Sequence, residues 1–329
     1  MRRGRNQRLR GIRADFGRAR ILKILRTIGI VIVAIFAIGV GLWLVAALTI
    51  AVSFARLNEI NGEIVSSGQK RTYLLHVPTN YDAATPTPLV VSLHGFIEWP
   101  AHLERTSGWS ALSDKAGFIV VYPSGTGFPL RWHAGGWGTT AANAQADVQF
   151  IVDLIDALSR EYNIDPARVY ANGLSNGGGM AYLLGCALSE KIAAVGGVAG
   201  AYVYPLGECT PSRPVPMIVF HGTADRIVPY LGGRSGPAEL PNIPDWVAER
   251  AGLNGCARVP QALPAVGAIT EFEFSGCAND SAVVFYSIRD GGHTWPGGEP
   301  IPAWIAGPTS TELNATQQMW AFFRQTSLP

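Results

Sequence analysis

Residues 169–172 read Val-Tyr-Ala-Asn, a short apolar run, and pass through Gly-Leu-Ser-Asn-Gly at 173–177 into a helical stretch. Few backbones reverse from strand to helix within five residues. The turn must be sharp and strained, both glycines must lack side chains that would clash, and Ser175 is left with its hydroxyl exposed at the carboxyl edge of a sheet. A GxSxG pentapeptide alone arises by chance in roughly one chain in several. Its place between a strand and a helix sets it apart from a glycine-rich turn with an incidental serine.

The surrounding chain supplies the layers that such a turn needs. Apolar strand-like runs occur at 72–77, 89–93, 118–122, 169–172, 193–198, 216–220 and 282–287. Several are continuous rather than alternating, as expected of strands buried on both faces of a mostly parallel sheet. Helical patterns at 147–162, 176–188 and 243–251 fall between them, and a last helix over 310–325 carries Leu313, Met319, Trp320 and Phe323 on one side. This alternation predicts a three-layer α/β fold filling 71–329.

A serine hydroxyl needs a base to take its proton. In a strand–turn–helix site of this kind the partners follow in the order Ser, acid, His. Six histidines occur, and only His293 lies beyond His221. It sits in Asp-Gly-Gly-His-Thr-Trp-Pro-Gly, just past the strand-like Val-Val-Phe-Tyr-Ser. The run Val-Pro-Met-Ile-Val-Phe leads into His-Gly-Thr-Ala-Asp, which places Asp225 on a strand-end loop. Its role is to fix the His293 tautomer and stabilise the imidazolium. Asp290, three residues before His293, reads as a turn-shaping residue, and His221 as structural support under the Asp225 loop. The backbone N–H groups of Asn176 and of Phe96, in Leu-Val-Val-Ser-Leu-His-Gly-Phe at 89–96, are the expected oxyanion donors.

The first 55 residues have a different character. Residues 1–26 hold ten basic side chains against one acid, Asp15, and residues 27–55 hold no charge at all. As a helix, those 29 residues would span about 43 Å, more than the roughly 30 Å of a bilayer core. The run exceeds the apolar region of a cleavable signal peptide. It predicts a signal anchor over 27–55, a basic cytoplasmic segment at 1–26, a polar linker at 56–70 and a catalytic domain on the far side of the membrane. Cleavage near Ala47 or Ala55 would release the same domain. Beyond residue 26 the chain carries 16 basic and 23 acidic residues, so no basic stripe remains for nucleic acid. Cys186, Cys209, Cys256 and Cys277 all follow the anchor, and an even number in an exported domain suggests two disulfides. Of three possible pairings, proximity favours Cys186–Cys209 and Cys256–Cys277. No pair has metal-ligand spacing.

The segments RTYLLHVP, PLVVSLHG, VVYPSG, DPARVYANGLSNGGGMAY, VFHGTADRIVPY and GGHTWPGG, spread over 70–300, together resemble one family. It is that of exported feruloyl esterases and polyhydroxybutyrate depolymerases in the α/β-hydrolase superfamily. The resemblance implies Ser175, Asp225 and His293 as a catalytic triad, an ester bond as target, secretion, no metal and no organic cofactor. Relatives carry a Cys pair where this chain reads His-Ala-Gly-Gly-Trp-Gly at 133–138, a loop expected to line the substrate site. Phe96, Trp99, Phe128, Trp132, Trp137 and Trp295 are the aromatic residues expected near the mouth, with Trp295 the foremost candidate for substrate contact. The rival readings are a serine peptidase on the same fold and a non-catalytic envelope-binding domain. The intact Ser175, Asp225 and His293 argue against the second.

Overall fold

Ser67 and Gly68 both take positive φ, 49° and 73°, the geometry that lets a two-residue turn close a hairpin. They join β1 (Gly62–Ser66) to β2 (Gln69–His76) with Ser66 opposite Gln69. The hairpin occupies most of the stretch expected as linker, so the polar linker over 56–70 is corrected: the folded unit begins near its start. Glu63, Val65 and Lys70 are exposed side chains of an edge hairpin, and this made the segment read as solvated loop.

The computed structural model describes residues 59–136, 138–203, 210–235 and 238–329, and, nearer the N-terminus, Lys23 and residues 25–49. The chain divides into two units, Met1–Arg56 and Leu57–Pro329. In the first, α1 (Leu25–Thr49) is an apolar helix with its described side chains exposed almost throughout, long and apolar enough to cross a membrane. Residues 1–22, 24 and 50–58, on which the basic segment and the end of the expected anchor fall, lie outside the described residues.

In the second unit, ten strands form one sheet in the order β1-β2-β4-β3-β5-β6-β7-β12-β11-β10. Its centre is parallel: β4 (Ile119–Pro123), β3 (Thr87–Leu93), β5 (Ile164–Leu174), β6 (Ala194–Val198), β7 (Met217–Gly222) and β12 (Val283–Ile288). Antiparallel strands close both margins, with β2 against β4 on one side and β11 (Ile269–Phe274) and β10 (Gln261–Ala262) on the other. Short β8 (Gly233–Ser235) and β9 (Ala238–Leu240) pair separately.

Every residue of β3, β4, β6 and β7 is buried, which explains the unbroken apolar runs in the sequence. Alternate residues feed opposite faces. Leu89, Val91, Ile119, Val121, Met217 and Val219 pack beneath α4 (Ala141–Glu161), α5 (Asn176–Ala187) and α6 (Ile243–Leu253). Val90, Val120, Tyr122, Ile218 and Phe220 face the other layer, with α2 (Pro100–Ser107), α3 (Trp109–Ala116) and α8 (Ala315–Phe323), the last preceded by the single-turn α7 (Ala303–Ala306). The fold is that of an α/β hydrolase, and Leu313, Met319, Trp320 and Phe323 join the second layer together.

Boundaries depart from expectation where local capping decides them. Helix α4 begins six residues before the expected 147 because Thr140 and Asn143 form a reciprocal capping box. Strand β11, Ile-Thr-Glu-Phe-Glu-Phe, escapes notice because its alternation carries two glutamates. Cys256 and Cys277 are joined. Cys186 is disulfide-bonded as well, and Cys209 lies outside the described residues.

The Cys256–Cys277 bond closes a loop with a sequence separation of 21. Replacing both cysteines with serine is expected to lower unfolding stability by about 3 kcal/mol. Urea titration with and without reductant measures it; no change in midpoint would contradict the assignment.

Candidate active site

Strand β5 ends at Leu174 and α5 begins at Asn176, so a single residue, Ser175, makes the turn. Its φ of 55° and ψ of −118° lie where a residue with a side chain is strained. Three backbone bonds hold it there. Its N–H donates to the Val198 carbonyl (2.9 Å), and its own carbonyl accepts from Gly179 (3.1 Å) and Ala201 (2.9 Å). The flanking glycines are fixed by contact. A Cβ on Gly177 would stand 2.0 Å from the Leu93 oxygen, and one on Gly173 2.4 Å from the Gly177 carbonyl group. Asn176 adds a side-chain clamp: its Oδ1 accepts from the Trp132 N–H (2.7 Å) and its Nδ2 donates to the Trp132 carbonyl (3.0 Å).

Two further parallel strands deliver the other groups. Past β7, Asp225 is buried, and its Oδ1 accepts from the N–H groups of Ile227 (2.9 Å) and Val228 (2.8 Å). Its Oδ2 lies 2.8 Å from His293 Nδ1, in the loop past β12. His221 Nε2 donates to the Val228 carbonyl (2.9 Å) and lies 3.4 Å from the same Oδ2. Burial alone would raise the Asp225 pKa. The hydrogen bonds from His221 and His293, and the charge those rings carry when protonated, outweigh it and hold the carboxyl well below the usual carboxylate range. Asp225 is therefore an ionised acceptor that fixes the proton on His293 Nδ1 and leaves Nε2 free to accept. Asp290 is exposed with φ 61°, and its N–H bonds to Thr223 Oγ1 (2.9 Å), so it shapes the turn before the histidine.

The loop after β3 is built around a buried neutral histidine. Gly125 donates to His94 Nε2 (2.9 Å), which places the ring proton on Nδ1, 2.7 Å from the Gly95 carbonyl. Desolvation lowers the His94 pKa, consistent with a neutral ring. The Gly95 carbonyl also accepts from the Glu98 N–H (3.3 Å). In a planar trans peptide the N–H points opposite to the carbonyl, so anchoring the Gly95 oxygen aims the Phe96 N–H away from it. Neither the Phe96 nor the Asn176 N–H has a hydrogen-bond acceptor among the described residues.

Ser175 and His293 line one cleft of about 570 Å³. Among the described residues no hydrogen bond joins the Ser175 hydroxyl to the ring. Phe96, Ile97, Leu174, Ile227, Ile301 and Ile305 supply most of the wall, with Trp99 beside them. The expectation for Trp295 is corrected. It is 1% exposed, its Nε1 donates to Thr316 Oγ1 (2.9 Å), and it packs in the core layer with α2, α3 and α8 rather than in the cleft. Trp132 is buried likewise, Phe128 stands fully in solvent, and Trp137 lies outside the described residues. The described residues of the 133–138 loop are absent from the cleft lining. Instead His133 and Arg71 bind the buried Asp147 carboxylate from two sides, at 2.8 and 3.0 Å. The aliphatic wall was missed in the sequence because Ile227, Ile301 and Ile305 look like ordinary loop hydrophobics until the fold gathers them.

Comparison with known proteins agrees in direction. The esterase PHB depolymerase family model matches residues 71–226. A putative esterase, NocK, of Nocardia uniformis subsp. tsuyamanensis is 33% identical over 279 residues, covering 77% of this chain and 78% of that protein. Feruloyl esterase C of Emericella nidulans is 29% identical over 242 residues, covering 72% and 78%. Among solved structures, the acetyl xylan esterase from Aspergillus awamori superposes with a TM-score of 0.51 at 18% identity, covering 75% of this chain and 97% of that one; it speaks for the fold alone.

Gly177→Ala is expected to destabilise the protein by about 1–3 kcal/mol, because the obstructing atoms are backbone and cannot rotate away. Gly276→Ala is the control, since its Cβ would meet open space, though its φ of 71° carries a smaller strain of its own. Equal melting temperatures for the two variants would contradict the close approach.

Proposed function

This chain belongs to the esterase family of the α/β-hydrolase superfamily and is a serine carboxylic-ester hydrolase, and on that premise we propose that Ser175, His293 and Asp225 carry its chemistry. The observation that carries the assignment is the 2.8 Å bond between His293 Nδ1 and a buried, ionised Asp225, on a ring that opens into the same cleft as the strained serine. In this reading Ser175 Oγ attacks the ester carbonyl carbon as its proton passes to His293 Nε2. The carbonyl oxygen becomes an oxyanion held by the Phe96 and Asn176 N–H groups, a type of interaction worth about 10²–10³ in rate per donor. Collapse breaks the bond to the alcohol, which leaves with the proton from His293. Water, activated by the same ring, then hydrolyses the acyl-enzyme and restores the serine.

The cleft also bears on the substrate. Aliphatic and aromatic side chains line it, and no Lys or Arg is among its described lining residues. The one carboxylate there, Glu98, gives an anionic substrate no partner. The ester we infer is uncharged, with an apolar acyl or aryl part; aryl esters, simple acyl esters and hydroxyalkanoates all satisfy this. The apolar helix α1 and the basic run before it support membrane attachment with the catalytic unit outside the cytoplasm, which protease accessibility in intact cells tests.

Full-length protein in detergent is expected to hydrolyse short p-nitrophenyl esters, and Ser175→Ala to abolish this; equal turnover would sink the assignment. Asp225→Asn should lower kcat by about 10⁴. Because a protonated imidazole cannot accept the serine proton, kcat/KM should fall on acidification, and a rate that does not fall would count against His293 as base. Along an ester series, kcat/KM should rise from acetate to octanoate and drop for a succinate half-ester. The reverse order would refute the apolar-substrate reading.

A further inference from the structure

Glu98 is a buried carboxylate on the wall of the catalytic cleft, and the mechanism above gives it no step. Its surroundings define what it can do. Oε2 accepts from the Gly95 N–H, and Oε1 lies 2.6 Å from His102 Nδ1, one turn along on α2. With both oxygens engaged it is not a free general base. It grips Gly95 twice, through the carboxylate on the Gly95 N–H and through its own N–H on the Gly95 carbonyl. The carboxylate thus fixes the His94–Gly95 peptide and the Glu98 N–H the next one, Gly95–Phe96, so the two peptides that flank the Gly95 Cα are held together and the Phe96 N–H is set by both. The clamp is also close to the nucleophile: a Cβ at Gly95 would lie 2.9 Å from Glu98 Oε2 and 3.6 Å from Ser175 Cβ.

The peptide needs such a clamp. The loop turns through Ile97 at φ 61°, and its Phe96 and Ile97 side chains are exposed at 41% and 54%. Two anchors act from below and behind, the His94 ring on the Gly95 carbonyl and the Leu130 carbonyl on the Ile97 N–H (3.0 Å). Neither touches the Gly95 N–H. A negative charge beside a developing oxyanion opposes the reaction, so a carboxylate here is tolerable only if its charge is drawn elsewhere. The Gly95 N–H and the His102 N–H do that.

We propose that Glu98 is the positioning residue of the oxyanion hole, holding the Gly95–Phe96 peptide in its catalytic orientation, and that His102 orients and electrostatically compensates Glu98. This rests on the assignment of Ser175 as nucleophile and of the Phe96 N–H as oxyanion donor. Since Glu98 touches no reacting atom, its loss acts through the aim of the Phe96 N–H. That aim matters more in the transition state than in the bound ester.

The test compares full-length wild type with Glu98→Ala, Glu98→Gln and His102→Phe on p-nitrophenyl butyrate, with thermal melting as a folding control. Glu98→Ala is expected to lower kcat by about 10- to 100-fold with KM changed less than about threefold, the split that marks a lost transition-state interaction. Glu98→Gln keeps an acceptor for the Gly95 N–H and should recover most of that loss. His102→Phe leaves Glu98 its Gly95 bond but removes the compensating N–H, and should fall between wild type and Glu98→Ala. The rate at which a fluorophosphonate labels Ser175 should follow the same order, because its phosphoryl oxygen uses the same donors. Wild-type kcat in folded Glu98→Ala, or Glu98→Gln no better than Glu98→Ala, overturns the proposal. If Glu98→Ala melts below assay temperature, the Gln and His102→Phe variants decide by the same order. If wild-type turnover does not depend on Ser175, the nucleophile assignment falls first and this inference falls with it.

Discussion

Where β5 hands over to α5, three stretches of backbone meet with no side chain between them. The Gly177 Cα faces the Leu93 carbonyl, Gly173 packs against the Gly177 carbonyl, and Gly178 lies against Gly200. Such approach lets the helix start directly above the carboxyl ends of β3 and β6 and leaves Ser175 no conformation but the strained one. The strain is paid for by the parallel sheet on either side of β5, whose hydrogen bonds and continuous apolar burial fix the strand ends. Loosen that contact and the serine, the N–H of Asn176 and the loop carrying Phe96 all lose their common reference.

The site is assembled from two halves. Strands β3 and β5 are neighbours and bring the Phe96 loop beside the serine turn. Strands β7 and β12 are neighbours too and bring Asp225 to His293. Each half has its own backbone-to-backbone contact, for a Cβ on Gly222 would stand 2.1 Å from the Gly291 oxygen. Between the halves runs β6, fully buried. Asp225 and His293 thus meet across the ends of two adjacent strands, a contact that holds the ring in one tautomer.

How much of this was legible in the sequence follows from how local each signal is. Strand ends, the serine turn and the order of Ser175, Asp225 and His293 are written in short stretches, and the structure brings all three residues to one edge of the sheet. Strand β2 shows in the sequence as the run at 72–77, but β1 and the turn before β2 read as linker because exposed Glu63 and Lys70 look solvated. Helices α2 and α3 were missed because they are eight residues each and break at Gly108 with φ 68°. Trp295 was misjudged because nearness to His293 in sequence says nothing about which side of the chain faces the cleft. It points into the core layer, where Thr316 waits more than twenty positions downstream. Glu98 carried no signal, since one glutamate in a loop has meaning only when the Gly95 N–H is seen against it.

The loop that carries His293 is tied to one border of the cleft. The His293 N–H donates to the Ala306 carbonyl (2.6 Å), the Gly292 N–H to Pro308 (2.8 Å), and Ile305 and Ala306 themselves border the cleft. One border of the cleft and the segment that holds the His293 backbone are thus one piece of chain. Changes that enlarge or reshape the pocket at 301–306 also tug on His293. Divergence in substrate choice has a cheaper route on the opposite wall, at Phe96 and Ile97, whose side chains project from a peptide secured independently. Altered specificity in this lineage should therefore accumulate on the β3 side of the cleft, while the segment behind the histidine drifts slowly.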